Sequence, residues 1–155
     1  MIVVSDTSCI TNLIAIQQAD LMPALFGEVI VPPAVQTELL RTHASLPDFL
    51  RLQAPHDSRF VERVSAELDE GEAQAIALAK ELKADRLLID EKAGRAVALR
   101  EGIPVIGVLG MLLLAKQRGL IASVGDCIGR LENEAGFHLD LQLKRSVLRD
   151  AGEES

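Results

Sequence analysis

Tryptophan and tyrosine are absent from this 155-residue chain, and four phenylalanines bring its aromatic content to only 3%. That argues against RNA-binding sheets and barrels that stack bases on aromatic platforms. Cysteine is scarce as well: Cys9 and Cys127 lie far apart, form no metal spacing, and read as ordinary cytosolic thiols. The longest apolar run, Val105 to Ala115, contains two glycines and is too short to span a membrane. The chain opens on Ile2-Val3-Val4 with no basic segment or long apolar stretch, so no secretory signal and a soluble cytoplasmic protein are expected. Positive charge is in short supply, with 16 Lys and Arg against 23 Asp and Glu and a net charge of −7. Bulk electrostatic capture of nucleic acid is therefore disfavoured, while an acidic metal pocket flanked by local basic residues remains open.

What is present is a core. Hydrophobic residues make up 48% of the chain and mean hydropathy is +0.22, so residues 1–155 are expected to form a single domain without repeats or linkers. The stretch from Leu68 to Asp90 organises the rest. Ala73 to Leu82 is rich in helix formers, with Ala75, Leu78, Ala79 and Leu82 at three- and four-residue steps. Asp69 and Glu72 have capping-box spacing ahead of it. Arg86-Leu87-Leu88-Ile89 then reads as a buried parallel strand that stops on Asp90.

The same alternation runs along the chain. Ile2 to Ser5 is a strand ending on Asp6-Thr7-Ser8; a helix over Cys9 to Ile16 follows, with Thr7 or Ser8 as its N-cap and Asn12 one turn beyond Ser8. A short helix over Ala19 to Phe26 leads to the strand Glu28 to Val31, and Pro32-Pro33 opens a helix carrying Val35, Glu38, Leu39 and Leu40. Thr42 to Arg59 is the least regular part, with Leu50 and Leu52 suited to an edge strand, and Phe60 to Leu68 reads as helix. After Asp90 come a helix over Ala96 to Glu101, the strand Ile103 to Gly107, a helix over Leu109 to Arg118, and helices near Asp126 to Glu134 and Leu141 to Arg149. This order predicts a parallel α/β sheet with helices on both faces.

Four acids are thereby expected at one edge. Asp6 and Asp90 end strands, while Glu38 and Glu72 lie in the first two turns of helices that start where parallel strands finish. Singly each has an ordinary explanation: a turn, a solvated helix position, a capping partner, a loop cap. Together they repel, at about 4 kcal/mol per pair for a separation of ~4 Å and an effective dielectric of ~20. A cation resolves the conflict, and oxygen ligands without His or Cys point to Mg²⁺ or Mn²⁺ rather than zinc. His43, His56 and His138 fall outside these elements. A carboxylate-only pocket of this kind suits phosphodiester hydrolysis.

The segments Val4-Ser5-Asp6-Thr7-Ser8, the Glu38 helix, Leu68-Asp69-Glu70-Gly71-Glu72-Ala73-Gln74-Ala75-Ile76 and Leu88-Ile89-Asp90-Glu91 resemble the PIN domain, nearest to the branch containing ribonuclease toxins of prokaryotic toxin–antitoxin pairs. The similarity covers roughly residues 1–121 and leaves 122–155 as a helical extension. It implies a three-layer α/β/α sandwich around a mostly parallel sheet of four or five strands, and metal-dependent cleavage of RNA. Asp6, Glu38 and Asp90 match three acids of that family's pocket, and Glu72 matches the acid opening the helix before the Asp90 strand. Thr7 or Ser8 matches the hydroxyl residue beside the first Asp. A homodimer and a small antitoxin partner are implied too, with Leu139, Leu141, Leu143, Val147 and Leu148 available either for that contact or for packing on their own domain.

Lys92, Arg95, Lys116 and Arg118 are candidates for holding RNA phosphates; equally, Arg95 can pair with Glu91 at i, i+4 and the others can be solvated surface. Phosphoacceptor and haloacid-type phosphatase readings fail because Asp6 is followed by Thr7-Ser8, without the further acid they require. No phosphate-binding GxxxxGK[ST] loop is present. The rival reading is a PIN-like module that binds RNA or a protein without cutting.

Overall fold

Short apolar segments and the helices between them close into one five-stranded sheet in the computed structural model, which describes residues 1–153. The elements are β1 (Val3–Ser5), α1 (Thr7–Ala15), α2 (Leu21–Phe26), β2 (Val29–Val31), α3 (Pro33–Thr42), β3 (Leu50–Leu52), α4 (Ser58–Val64), α5 (Glu70–Leu82), β4 (Arg86–Leu88), α6 (Lys92–Arg100), β5 (Val105–Ile106), α7 (Val108–Gln117), α8 (Val124–Glu134) and α9 (Leu141–Asp150). Strand order is β3-β2-β1-β4-β5, and every pairing is parallel, so the sheet expected to be mostly parallel is wholly so. Val4 pairs with Ile30 on one side and Leu87 on the other, and Leu87 pairs with Val105.

A parallel sheet covered on both faces needs apolar residues at successive positions, with alternate residues serving opposite sides. Val3 and Leu88 join one buried cluster with residues of α1, α2, α3, α7 and α8, whereas Val4, Leu87 and Ile89 join the other with α4, α5 and α6. Three layers result. The edge strand β3, with Leu50 and Leu52 as expected, leaves Leu52 exposed.

Several boundaries shift for local reasons. α1 starts at Thr7 because Asp6, not Thr7 or Ser8, is its N-cap: the residue is extended and its carboxylate accepts the Cys9 N–H at 3.1 Å. α4 is displaced toward the N-terminus, since Asp57 caps it through the Phe60 N–H at 3.0 Å and it finishes at Val64. α6 begins at Lys92, one turn before the expected Ala96.

Residues beyond 121 are built into the fold. Val124, Cys127, Ile128 and Leu131 of α8 and Val147 of α9 are buried in the first cluster, and Leu139 and Leu148 pack against it. Leu141, 62% exposed, and Leu143 do not, so the C-terminal apolar positions divide between packing and surface. Glu153 locks this segment down. Its carboxylate accepts from the backbone N–H groups of Val124 (2.7 Å) and Gly125 (2.8 Å) and the hydroxyl of Ser123 (3.1 Å), at the N-terminus of α8. It also pairs with Lys116 of α7 at 2.8 Å.

Burial alone would push the Glu153 carboxyl up, but these donors outweigh it and bring it down to about 2. A depressed acid stabilises the fold above its unfolded pKa and loses that contribution as pH falls from the ordinary glutamate value of 4.5 toward about 2. Glu153→Gln is expected to cost about 2 kcal/mol near neutral pH, roughly 5 °C in melting temperature. Thermal unfolding across acid pH should show the gap from wild type closing over that window; a gap independent of pH would refute the assignment.

Candidate functional site

The chain leaves β1 outward to β2 and β3, then returns past β1 to β4 and β5. The order therefore reverses between β1 and β4, and open α/β sheets bind ligands at the carboxyl ends of the strands flanking such a point. Asp6 directly follows β1, and Asp90 lies two residues beyond β4. Helices α1 and α6 also begin at this edge, with N-terminal dipoles that favour negative charge.

Asp6 is only 2% exposed. One carboxylate oxygen accepts the Cys9 N–H and the other the Ser8 hydroxyl at 3.0 Å. Beside it, Thr7 Oγ1 is buried without a hydrogen-bond partner. Glu38 reaches the same edge from α3 and Glu72 from the first turn of α5, which Asp69 caps through the Glu72 N–H at 2.8 Å. The capping box is half made, because Glu72 Oε2 is itself buried and unpartnered.

Asp6, Glu38 and Glu72, together with Asp69, Glu91, Thr7, Ser8, Thr11 and Asn12, line one cavity of about 280 Å³. Asp90 does not. It lines the adjoining cleft of about 520 Å³, which shares Ser8, Asn12 and Glu91 with the cavity. Of the four acids expected at one edge, three line the cavity and the fourth lines the cleft that adjoins it, near enough for its charge to act on Asp6. The reason is helix capping: Asp90 Oδ1 accepts the Val108 N–H at 3.1 Å at the start of α7, while Oδ2 accepts from the Cys9 thiol at 3.4 Å.

Three glycines make room for these carboxylates. A Cβ on Gly71 would collide with Glu38 Oε1, and one on Gly107 with Asp90 Oδ1. A Cβ on Gly94 would stand 2.9 Å from Glu72 Oε2 and 2.6 Å from Ile89 Cδ1. Each acid rests against a helix start belonging to a different element, at a distance only glycine permits.

The electrostatics follow from burial. Loss of solvent pushes Asp6 up to about 7, against the Cys9 and Ser8 hydrogen bonds, and the Asp90 charge adds to the rise. Glu72 is also pushed up to about 7, first by burial and then by the charges of Asp69, Asp6 and Glu91. Burial raises Asp90 as well, opposed by the Val108 and Cys9 bonds and by Arg95. Such a site holds protons at neutral pH unless a cation replaces them. Oxygen-only donors, two orphaned buried oxygens and the glycine cradles are features that suit a hard divalent cation. Among the described residues, no three His, Cys, Asp or Glu side chains stand close enough together to hold an ion as they are.

A family model described as "DUF3368: PIN domain" matches residues 2–153. The chain belongs to the PIN-domain family. No curated protein matches it. The match runs past residue 121 through α8 and α9, the helices that complete the first core cluster. PIN domains are generally nucleases, so this is a nuclease-type fold and, at that level, a hydrolase scaffold. No helix among the described residues is long and apolar enough to cross a membrane.

The PIN domain's basic candidates separate. Lys92 and Arg95 line the cleft beside Asp90, and the Arg95 charge acts on the Asp90 carboxyl. Lys116 is taken by Glu153, and Arg118 donates to the Leu25 carbonyl at 3.1 Å, so both serve the fold. Glu91, Thr11 and the three glycines were missed. Glu91 follows Asp90 directly, a doublet that signals a second acid at the same strand end. Cys9 is no ordinary thiol either, since it lies in the first turn of α1 and bonds Asp90.

The raised Asp6 carboxyl has a consequence for the metal-free PIN domain. The unfolded chain releases this proton near 3.8 and the native state near 7, so between those values the native state binds more protons. Stability therefore falls as pH rises through that window and stays low above it. Asn keeps the cap and removes the charge. In chelator at pH 8, Asp6→Asn is expected to melt on the order of 5 °C above wild type, with the difference shrinking toward pH 4. A variant that melts below wild type at pH 8 would contradict it.

Proposed function

We propose that the chain is a Mg²⁺- or Mn²⁺-dependent endoribonuclease whose acidic cavity is the site of phosphodiester hydrolysis. The observation that carries this reading is the cavity lining: Asp6, Glu38 and Glu72 arrive from separate elements, and burial pushes Asp6 and Glu72 up to about 7. Membership of a generally nucleolytic family supports the reaction class. The resemblance to toxin ribonucleases supports a toxin's place in a toxin–antitoxin pair, acting on cellular RNA as a homodimer.

Asp6, Glu38 and Glu72 would hold the ion, with Asp90 extending the acidic edge into the cleft. When bound, such an ion lowers the pKa of water and offsets charge on the leaving oxygen. The remaining work falls to the protein. Ser8 orients the Asp6 carboxylate through its hydroxyl, and the Cys9 thiol donates to Asp90 and holds that carboxylate in place. Thr11 and Asn12, half-buried in the lining, present polar groups to a phosphate oxygen. Lys92 and Arg95 offset the charge of neighbouring phosphates from the cleft side.

Cleavage of an RNA panel in Mn²⁺ or Mg²⁺ is the direct test. Wild type should cut, and Asp6→Asn and Glu72→Gln should each lower kcat by about 100-fold or more while retaining RNA binding. Mn²⁺ should also raise the melting temperature of wild type much more than that of Asp6→Asn. Binding without cleavage by wild type in either ion would instead establish the non-cutting module.

Gly71→Ala separates site geometry from stability. The added Cβ displaces the Glu38 carboxylate, a flexible side-chain end, while alanine suits a helix better than glycine by about 1 kcal/mol. Melting temperature should hold or rise, and cleavage at limiting Mn²⁺ should fall by about tenfold. Unchanged cleavage across a Mn²⁺ titration would remove Glu38 from the site.

A further inference from the structure

The cleft beside the acidic cavity has a wall that the hydrolytic reading leaves unused. Its about 520 Å³ falls within the roughly 300–1,000 Å³ of small-molecule sites. Lys92 and Arg95 of α6 line one part, and Leu109, Phe137, His138 and Leu143 line the rest. Phe137 and His138 belong to the connection from α8 to α9, and that connection is held in place. Gly136 takes a left-handed conformation at φ +67°, and the Phe137 N–H returns to the Leu131 carbonyl at 3.0 Å. Lys144 of α9 pairs with Glu132 of α8 at 2.9 Å across it.

Phe137 is a singular residue. Of the four phenylalanines, Phe26 and Phe60 are buried, Phe49 and Phe137 both pack partly buried against the core, and Phe137 is the one that also lines this cleft. Cations, an aromatic ring and apolar walls in one cleft, continuous with a carboxylate cavity, are the parts of a single-nucleotide subsite. Asp90 and Glu91 share the lining, so Lys92 and Arg95 first offset them, and the apolar base contact must supply much of the affinity. An apolar peptide would use Leu109 and Leu143 but would bring no negative charge to Lys92 and Arg95.

We propose that this cleft binds one nucleotide of single-stranded RNA next to the phosphate held at the acidic cavity, with its base against Phe137 and its phosphate at Lys92 and Arg95. The inference rests on the ribonuclease reading for what lies next door, but its observable is binding. Phe137 is thus a specificity-determining residue, and purines, with the larger stacking surface, are favoured at this position.

The test exploits the absence of tryptophan from the chain. Phe137→Trp in the Asp6→Asn background provides a lone reporter, titrated with short oligoadenylate and oligouridylate under non-cleaving conditions. Saturable quenching, stronger and at lower concentration for oligoadenylate, is expected, and Phe137→Ala should weaken oligoadenylate binding by about tenfold or more. Phe137→Leu keeps the packing volume and should show the same preference loss should the alanine variant fail to fold. Quenching with no cleavage by wild type would sink the nuclease reading and leave the subsite standing. No quenching, or equal affinity in Phe137→Leu and its parent, would overturn the subsite while cleavage by wild type kept the nuclease reading. Self-association of wild type that Phe137→Leu abolishes, with RNA affinity unmoved, would also overturn it by assigning the cleft to protein.

Discussion

Asp6 combines two demands that conflict: it must end a buried strand and it must carry a carboxylate. The fold reconciles them with two donors, the Cys9 amide and the Ser8 hydroxyl, which satisfy the oxygens without removing the cost of burying charge. Everything at the switch point is arranged around that residue. Cys9 is fixed in α1 by the same cap and reaches Asp90; Asp90 in turn caps α7, so β1, β4 and the helix after β5 meet through one chain of polar contacts. A fold built for stability alone would place an apolar residue here.

Packing decides how close the other acids come. Helices α3 and α5 lie against each other, and the absence of a side chain at Gly71 lets Glu38 settle on α5. Gly94 does the same for Glu72 against α6, and Gly107 for Asp90. Negative charge is thus brought together by steric permission rather than attraction, while the helix starts partly compensate it. The scarcity of basic residues acquires a meaning in this setting. Lys116 and Arg118 are committed to the fold, so the positive charge beside the site comes from Lys92 and Arg95, both in the first turns of α6.

The C-terminal helices participate in the site rather than trailing from it. α8 completes the core on one face, Glu153 ties its N-terminus to α7, and the α8–α9 connection forms a wall of the cleft beside Asp90. The family match through residue 153 agrees with that construction.

Much of this was legible in the residues alone. Alternating apolar segments specified the parallel layers because each strand must be covered on both sides. Asp6, Glu38 and Glu72 could be assigned to one edge from topology, since helices following parallel strands start where those strands end. The division of the four acids was not legible. Whether Asp90 faces the cavity or caps α7 depends on where β5 delivers Gly107 and Val108, residues nearly twenty positions away. The fate of Lys116 and Arg118 depended likewise on Glu153 and the Leu25 carbonyl, distant partners that only folding brings near. Periodicity along one chain reports which face a residue occupies; it carries no information about which remote backbone group will take its side chain.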